Sequence, residues 1–232
     1  TKILDLPQNK DKLDIIVCDI NDITEDESID LVVETMGGIH PAYEFIQNCL
    51  QHKKHVVTAN KAVVAAHMSD FLKSAKENGV QFRFEASTGG GIPWLASIQK
   101  AKRIDEISSF YGIFNGTTNY ILDSMNTLNE EFETALKKAQ QLGYAEANPS
   151  ADIDGYDVQN KVTISAALAF DSKIDMKDFP CFSMANITYE DIQYLKSHHQ
   201  MIKYIGQAIK KENMYEAFVM PMVFASNSLE AN

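Results

Sequence analysis

The 232-residue chain is 45% hydrophobic and 23% charged, the balance of an ordinary globular protein, and it is long enough to bury a core of its own. Asp and Glu number 32 against 21 Lys and Arg, a net charge of −11, which argues against nucleic acid or an anionic membrane surface as a partner, since both call for a basic face. No apolar run is as long as a spanning helix, the start TKILDLPQNKDKLD is too polar for a secretory signal, and three separated cysteines (Cys18, Cys49, Cys181) read as reduced thiols of a cytoplasmic protein.

Ile15–Cys18 (IIVC) and Asp30–Glu34 (DLVVE) are short apolar runs that predict strands. Pro41 to Gln51 has helical spacing, with Pro placed in the first turn. His55–Thr58 predicts a third strand, Ala62 to Asn78 a helix stopped by Asn78–Gly79, and the alternating Val80–Ala86 a fourth strand. Strands separated by helices imply right-handed βαβ units and a mainly parallel sheet. Gly89–Gly91 and Pro93 then break the pattern. A helix to about Lys100 follows, then a strand at Ile107–Phe114 and helices at Glu131–Gln141 and about Asp154–Ala169. The last third predicts a long helix from Tyr189 to Lys211, capped by Thr188, and a strand from Tyr215 to Phe224. The expected fold class is α/β: a partial Rossmann-like nucleotide-binding domain over residues 1–91, then an α+β domain over residues 92–232.

Five segments could carry chemistry. Glu34-Thr-Met-Gly-Gly and Thr58-Ala-Asn-Lys61 each follow a predicted parallel strand, where ligands of open α/β sheets bind. A plain βα turn explains the first equally well, and most lysines are solvated surface charges. Glu85-Ala-Ser-Thr-Gly-Gly-Gly-Ile-Pro93 could cradle a phosphate or offer carbonyls to a hard cation, although a tight connection between domains accounts for it by itself. Asn115-Gly-Thr-Thr-Asn-Tyr120 reads first as a helix N-terminus and second as a holder of a polar substrate group. The most informative stretch runs from Gly143-Tyr-Ala-Glu146 through Asp152, Asp154 and Asp157 to Lys161. Asp157 and Lys161 share one helix face, either as a surface ion pair or as an active-site lysine flanked by carboxylates. The apolar run VTISAALAF after Lys161 favours the second reading, because a helix apolar on nearly every face is buried and a lysine at its start then needs a partner or a cleft. Cys49 sits on an amphipathic helix with no evident base, which argues against a thiol nucleophile.

Taken in order, DLVVETMGGIHPA, HVVTANKA, FEASTGGGIP, GIFNGTTNYIL, LGYAEANPSADIDGYDVQNK and, more loosely, ITYEDIQYL resemble homoserine dehydrogenase over most of the chain. The resemblance implies an NADP- or NAD-dependent oxidoreductase that interconverts L-homoserine and L-aspartate 4-semialdehyde for threonine, methionine and isoleucine synthesis, as a cytoplasmic homodimer. It implies that Lys161 and Lys61 are catalytic. Glu146, Asp152, Asp157 and Thr117 would then bind substrate. Thr35, Gly37, Lys61, Gly143 and Glu146 would border the cofactor, and Glu85, Thr88, Gly90 and Ile92 would hold a sodium ion through backbone oxygens. It places the family's G-x-G-x-x-G turn and first βα unit before residue 1 and further strands after residue 232, so that the chain reads as a truncated core. Two rival readings accompany it: an inactive oligomerising fragment of the same fold, and another nicotinamide-dependent oxidoreductase such as aspartate-semialdehyde dehydrogenase, which requires a cysteine nucleophile.

Overall fold

The short apolar runs near the start become parallel strands in the structure, a computed structural model that describes residues 1–212 and 214–231. The chain divides into two units, Thr1–Ser97 and Ile98 onward. In the first unit β1 (Ile3–Leu4) pairs with β2 (Ile16–Val17), followed by the single-turn helix α1 (Asn21–Thr24). A second parallel sheet has the order β3 (Leu31–Glu34), β4 (His55–Thr58), β5 (Phe82–Arg83). The facing edges of β1 and β3 border a cavity of about 560 Å³.

The crossover helices are α2 (Ala42–Gln51) and α3 (Lys61–Asn78). Ala42, Ile46, Cys49 and Leu50 recur at helical spacing and are all buried, so α2 turns one stripe inward against β4. Helix α3 begins at an Asn60 cap and bends at His67, where φ is −134°. Phe71 of α3 is wholly buried with its ring centroid 4.9 Å from that of Phe82 in β5. Burying such a ring contributes about 1.5–3 kcal/mol.

The fourth predicted strand is shorter than its alternation suggests. Only Phe82–Arg83 pairs with β4, and a 3-10 turn at Glu85–Ser87 follows. The Glu85 carboxylate accounts for the early stop. It accepts the backbone N–H groups of Leu95 (2.8 Å) and Ala96 (2.9 Å) and so caps α4 (Trp94–Ala101), within which the division between the two units falls.

In the second unit β6 (Ser109–Gly112), β7 (Gln200–Lys211) and β8 (Met214–Ala225) form an antiparallel sheet in that order. Its helices are α5 (Gly116–Leu128), α6 (Phe132–Gln141), α7 (Ser150–Ile153), α8 (Tyr156–Phe170) and α9 (Tyr189–Ser197). Helix α8 is buried on nearly every face, as its apolar sequence requires. It lies close against β7: a β-carbon on Gly206 would come within 2.5 Å of Val162 and 2.8 Å of Val158.

The expected helix from Tyr189 to Lys211 is a correction. Only Tyr189–Ser197 is helical, closed by His198 and by His199 at φ +55°, and residues 200–211 are the central strand β7. Ile202 through Gly206 are buried in succession because the strand is covered on both faces. A centrally placed strand loses the alternation by which strands are read, and its apolar run then imitates a helix.

Candidate active site

The first unit places two of the singled-out segments at the C-terminal ends of adjacent parallel strands, β3 and β4, joined in register by Glu34 opposite Thr58. Glu34 is 6% exposed, and its carboxylate organises both turns. It accepts the Thr58 hydroxyl, the Met36 backbone N–H (2.6 Å) and the Asn60 amide (3.5 Å). Asn60 uses its amide oxygen to cap α3 through Val63 N (3.3 Å), and its Nδ2 also donates to Gly38 O (2.7 Å). The Thr35–Gly38 turn is thereby tied to the start of α3, whose first residue is Lys61. Thr35 and Gly37 are exposed at the rim of that turn, and nothing lies within 4 Å of where a Gly37 β-carbon would stand. Sequence reasoning did not single out Glu34 or Asn60 as the residues that shape this rim. Two capping-type side chains after successive strands were the available signal.

Of the four proposed sodium ligands, Glu85 and Ile92 already use their carbonyls inside the loop. Glu85 O accepts from Thr88 N and Gly89 N (both 3.2 Å), and Ile92 O accepts from Trp94 N (2.8 Å). Gly90 and Ile92 are exposed, whereas the Thr88 hydroxyl is buried and, among the described residues, has no hydrogen-bond partner.

The second unit gathers the acids and the amine. Lys161 Nζ donates to Phe114 O (2.7 Å) and pairs with Asp157 Oδ2 (2.8 Å), one helical turn away on α8. The lysine side chain is 17% exposed and the aspartate 5%, so the pair stands in a low-dielectric setting with a narrow opening to solvent. Asn115, at the end of the segment after β6, donates from Nδ2 to both Asp157 Oδ2 (2.9 Å) and Asp152 Oδ1 (2.7 Å). The structure therefore brings Lys161, Asp157 and Asp152 together as expected from their spacing. It adds Asn115, whose segment the sequence marked first as a helix N-terminus.

Thr117 is the second residue of α5 and donates to Tyr144 O (2.6 Å), tying the NGTTNY segment to the loop after α6. Gly143 closes α6 in the left-handed region (φ +79°), with Tyr144 N reaching back to Ala139 O (2.8 Å), and the Tyr144 ring then lies 5.0 Å from that of Tyr120. Glu146 is exposed; among the described residues its carboxylate has no hydrogen bond or ion pair with Lys161, Asp152 or Asp157.

Cys49, the nucleophile demanded by the semialdehyde-dehydrogenase reading, is 1% exposed, and burial pushes its thiol up to about 11. A thiol so far from ionisation at neutral pH is no nucleophile. Iodoacetamide at neutral pH is accordingly expected to modify the exposed Cys18 and to spare Cys49 in the folded chain, with peptide mapping by mass spectrometry as the readout.

Comparison with known proteins identifies the family that the chain resembles in sequence and fold. The family model described as homoserine dehydrogenase matches residues 93–232, and that described as homoserine dehydrogenase, NAD binding domain, matches residues 4–85. Homoserine dehydrogenase of Bacillus subtilis is 38% identical over 218 residues, covering 94% of this chain and 49% of that protein. The Synechocystis enzyme of the same name is 40% identical over 195 residues, covering 84% of this chain and 45% of that protein. The chain thus spans about half the length of the curated relatives it matches. Among solved structures, a homoserine dehydrogenase from Thiobacillus denitrificans superposes with a TM-score of 0.91 at 35% identity, over 100% of this chain and 54% of that one. A hyperthermophilic archaeal homoserine dehydrogenase in complex with NADPH shares the fold, with a TM-score of 0.76 at 21% identity, over 91% of this chain and 61% of that one.

Proposed function

The chain belongs to the homoserine dehydrogenase family, and on that premise we propose that it carries the working residues of an NAD- or NADP-dependent oxidoreductase interconverting L-homoserine and L-aspartate 4-semialdehyde in threonine, methionine and isoleucine synthesis. The observation that carries the proposal is the Lys161 ammonium held between Phe114 O and Asp157 Oδ2, with the Asp152 carboxylate drawn beside it by Asn115. An aldehyde reduced to an alcohol develops negative charge on oxygen and then needs a proton. Lys161 supplies both the cation and the proton, and in the oxidation it takes the proton back. The substrate's ammonium group calls for carboxylates, a role that falls to Asp157, Asp152 and Glu146, with Thr117 shaping the wall. No covalent nucleophile is involved, in keeping with a buried, un-ionised Cys49.

When bound, the nicotinamide cofactor supplies the hydride in one direction and accepts it in the other. The residues at the C-terminal ends of β3 and β4 fit such a group: an open turn at Gly37, fixed from beneath by Glu34 and Asn60, beside the N-terminus of an 18-residue helix. Within the first unit Thr35, Gly37 and Lys61 would hold it, and Lys61 would act as a second catalytic cation. The sodium assignment to backbone oxygens of Glu85, Thr88, Gly90 and Ile92 would require the carbonyls of Glu85 and Ile92 to be shared with existing N–H donors. The enzyme is proposed to work in the cytoplasm as a homodimer.

The test is direct. The chain, and the same chain with any flanking sequence of its gene restored, are mixed with L-homoserine and NAD+ or NADP+ at alkaline pH. A homoserine-dependent rise in reduced-nicotinamide absorbance is expected in the restored protein. No turnover there overturns the enzyme reading, and turnover only there makes the chain by itself an inactive core.

A further inference from the structure

Asn115 does three things at once, and few side chains could. Its Oδ1 accepts Thr118 N (2.8 Å), the capping bond of α5. Both hydrogens of its Nδ2 are spent on carboxylates, Asp152 Oδ1 at 2.7 Å and Asp157 Oδ2 at 2.9 Å. The preceding residue, Phe114, offers its carbonyl to Lys161. Two consecutive residues at the end of one segment thus clamp the amine and both acids of α7 and α8.

We propose that Asn115 is a positioning residue for substrate recognition: one amide group holds the Asp152 and Asp157 carboxylates side by side and, through Asp157, fixes the Lys161 ammonium. The inference rests on the functional reading of Lys161 and Asp157 given above. Two carboxylates converging on one ammonium-bearing substrate repel each other when the site is empty of it. An NH2 group between them offers one hydrogen to each and holds them without supplying a full charge that would compete with the substrate. A lysine in its place would neutralise the acids and could not cap the helix. Aspartate and serine cap as well as asparagine, but aspartate has no N–H and serine has a single, shorter donor. The side chain is 93% buried, since Asn115 is 7% exposed, so bulk water does not stand in easily for the lost donor.

Capping and positioning make opposite predictions for two substitutions. Asn115→Ser and Asn115→Asp both keep an acceptor for Thr118 N. If Asn115 only caps, both variants turn over homoserine at the parental rate, and the isosteric aspartate is at least as good as serine. If it positions, kcat/KM for homoserine falls about tenfold in the serine variant, the loss expected for one hydrogen bond to a charged group. It falls about a hundredfold or more in the aspartate variant, where a third carboxylate faces the other two. KM for homoserine rises in both, while KM for the nicotinamide cofactor stays put.

Melting of the full chain gives a second measurement that needs no turnover. The Asn115 amide touches Asp152 and Asp157 directly and Lys161 through Asp157. The aspartate variant is expected to melt several degrees below the serine variant at pH 8, with the gap closing toward pH 5 as the crowded carboxylates take up protons. Coincident melting at both pH values, or an aspartate variant as active as the parent, overturns the proposal. If Lys161→Met and Asp157→Asn retain full turnover in the same assay, the functional reading fails and the positioning role falls with it. If they lose turnover while both Asn115 variants keep it, only the positioning role falls.

Discussion

Replacing Lys161 with methionine is expected to lower kcat for homoserine oxidation by about 10³-fold, with KM for the nicotinamide cofactor nearly unchanged. Methionine keeps the length and apolar stem of lysine and removes only the ammonium. A loss of that size corresponds to about 4 kcal/mol of transition-state stabilisation, within reach of a group that supplies both charge and proton. The substitution also affects the fold. Asp157 is 4% exposed and would lose the ammonium it pairs with, while the Asn115 amide still donates to its Oδ2. Breaking one side of a buried pair costs about 3–5 kcal/mol. A double variant, Lys161→Met with Asp157→Asn, separates the two effects, because it removes the carboxylate along with the ammonium it paired with. Its melting temperature should recover while kcat stays low. Near-parental kcat in a well-folded Lys161→Met protein would remove Lys161 from the chemistry.

Gly155→Ala should be the most damaging single methyl group in the second unit. Gly155 joins α7 to α8 at φ +86°, a conformation that costs an alanine about 1 kcal/mol or more. Space is the larger obstacle. The added β-carbon would stand 2.0 Å from the Tyr204 hydroxyl and 2.7 Å from the Cys181 sulfur. Neither neighbour can retreat cheaply: Tyr204 is 1% exposed and donates to Phe182 O at 2.7 Å, and Cys181 Sγ donates to Asp154 O at 3.2 Å. Overpacking of this kind costs about 1–3 kcal/mol, and a displaced buried hydroxyl adds about as much again. The variant is expected to lose about 3–5 kcal/mol in urea denaturation, or roughly 10 °C in Tm. Tyr204→Phe in the same chain removes the nearest atom and should restore part of the loss; full additivity of the two substitutions would show that the clash lies elsewhere.

Much of this was legible in the amino-acid sequence, for reasons that differ by element. The HVVT run is bounded by turn residues and appears as β4 at His55–Thr58 without adjustment. The VTISAALAF helix announced its own burial. Asp157 and Lys161 had to meet, because four residues on a helix is one turn. What failed to show were the consequences of packing at a distance. Strand β7 reads as helix because both its faces are covered, a property of its neighbours in space. Asn60 drew no reading of its own and Asn115 read first as a helix N-terminus, because the carboxylates that claim their amide hydrogens lie 26 residues away in one case and 37 and 42 in the other. Glu146 was read from its place among the acids before Lys161 and took its specific role from the resemblance; the structure leaves it exposed.

Asn115 is followed in the chain by Gly116, and that pair carries a chemical liability. In an Asn–Gly sequence the glycine nitrogen is unhindered and can attack the asparagine side-chain carbonyl, expelling ammonia and closing a succinimide that water then opens to an aspartyl or isoaspartyl residue. The three hydrogen bonds on the Asn115 amide hold it still while α5 stays closed. Each time the start of that helix frays, the restraint is gone. The native contacts thus act as a preservative, and slow deamidation on storage would install the same extra negative charge as the engineered aspartate. Ageing of the purified protein should therefore proceed from the middle of its site outward, with released ammonia and lost homoserine turnover rising together.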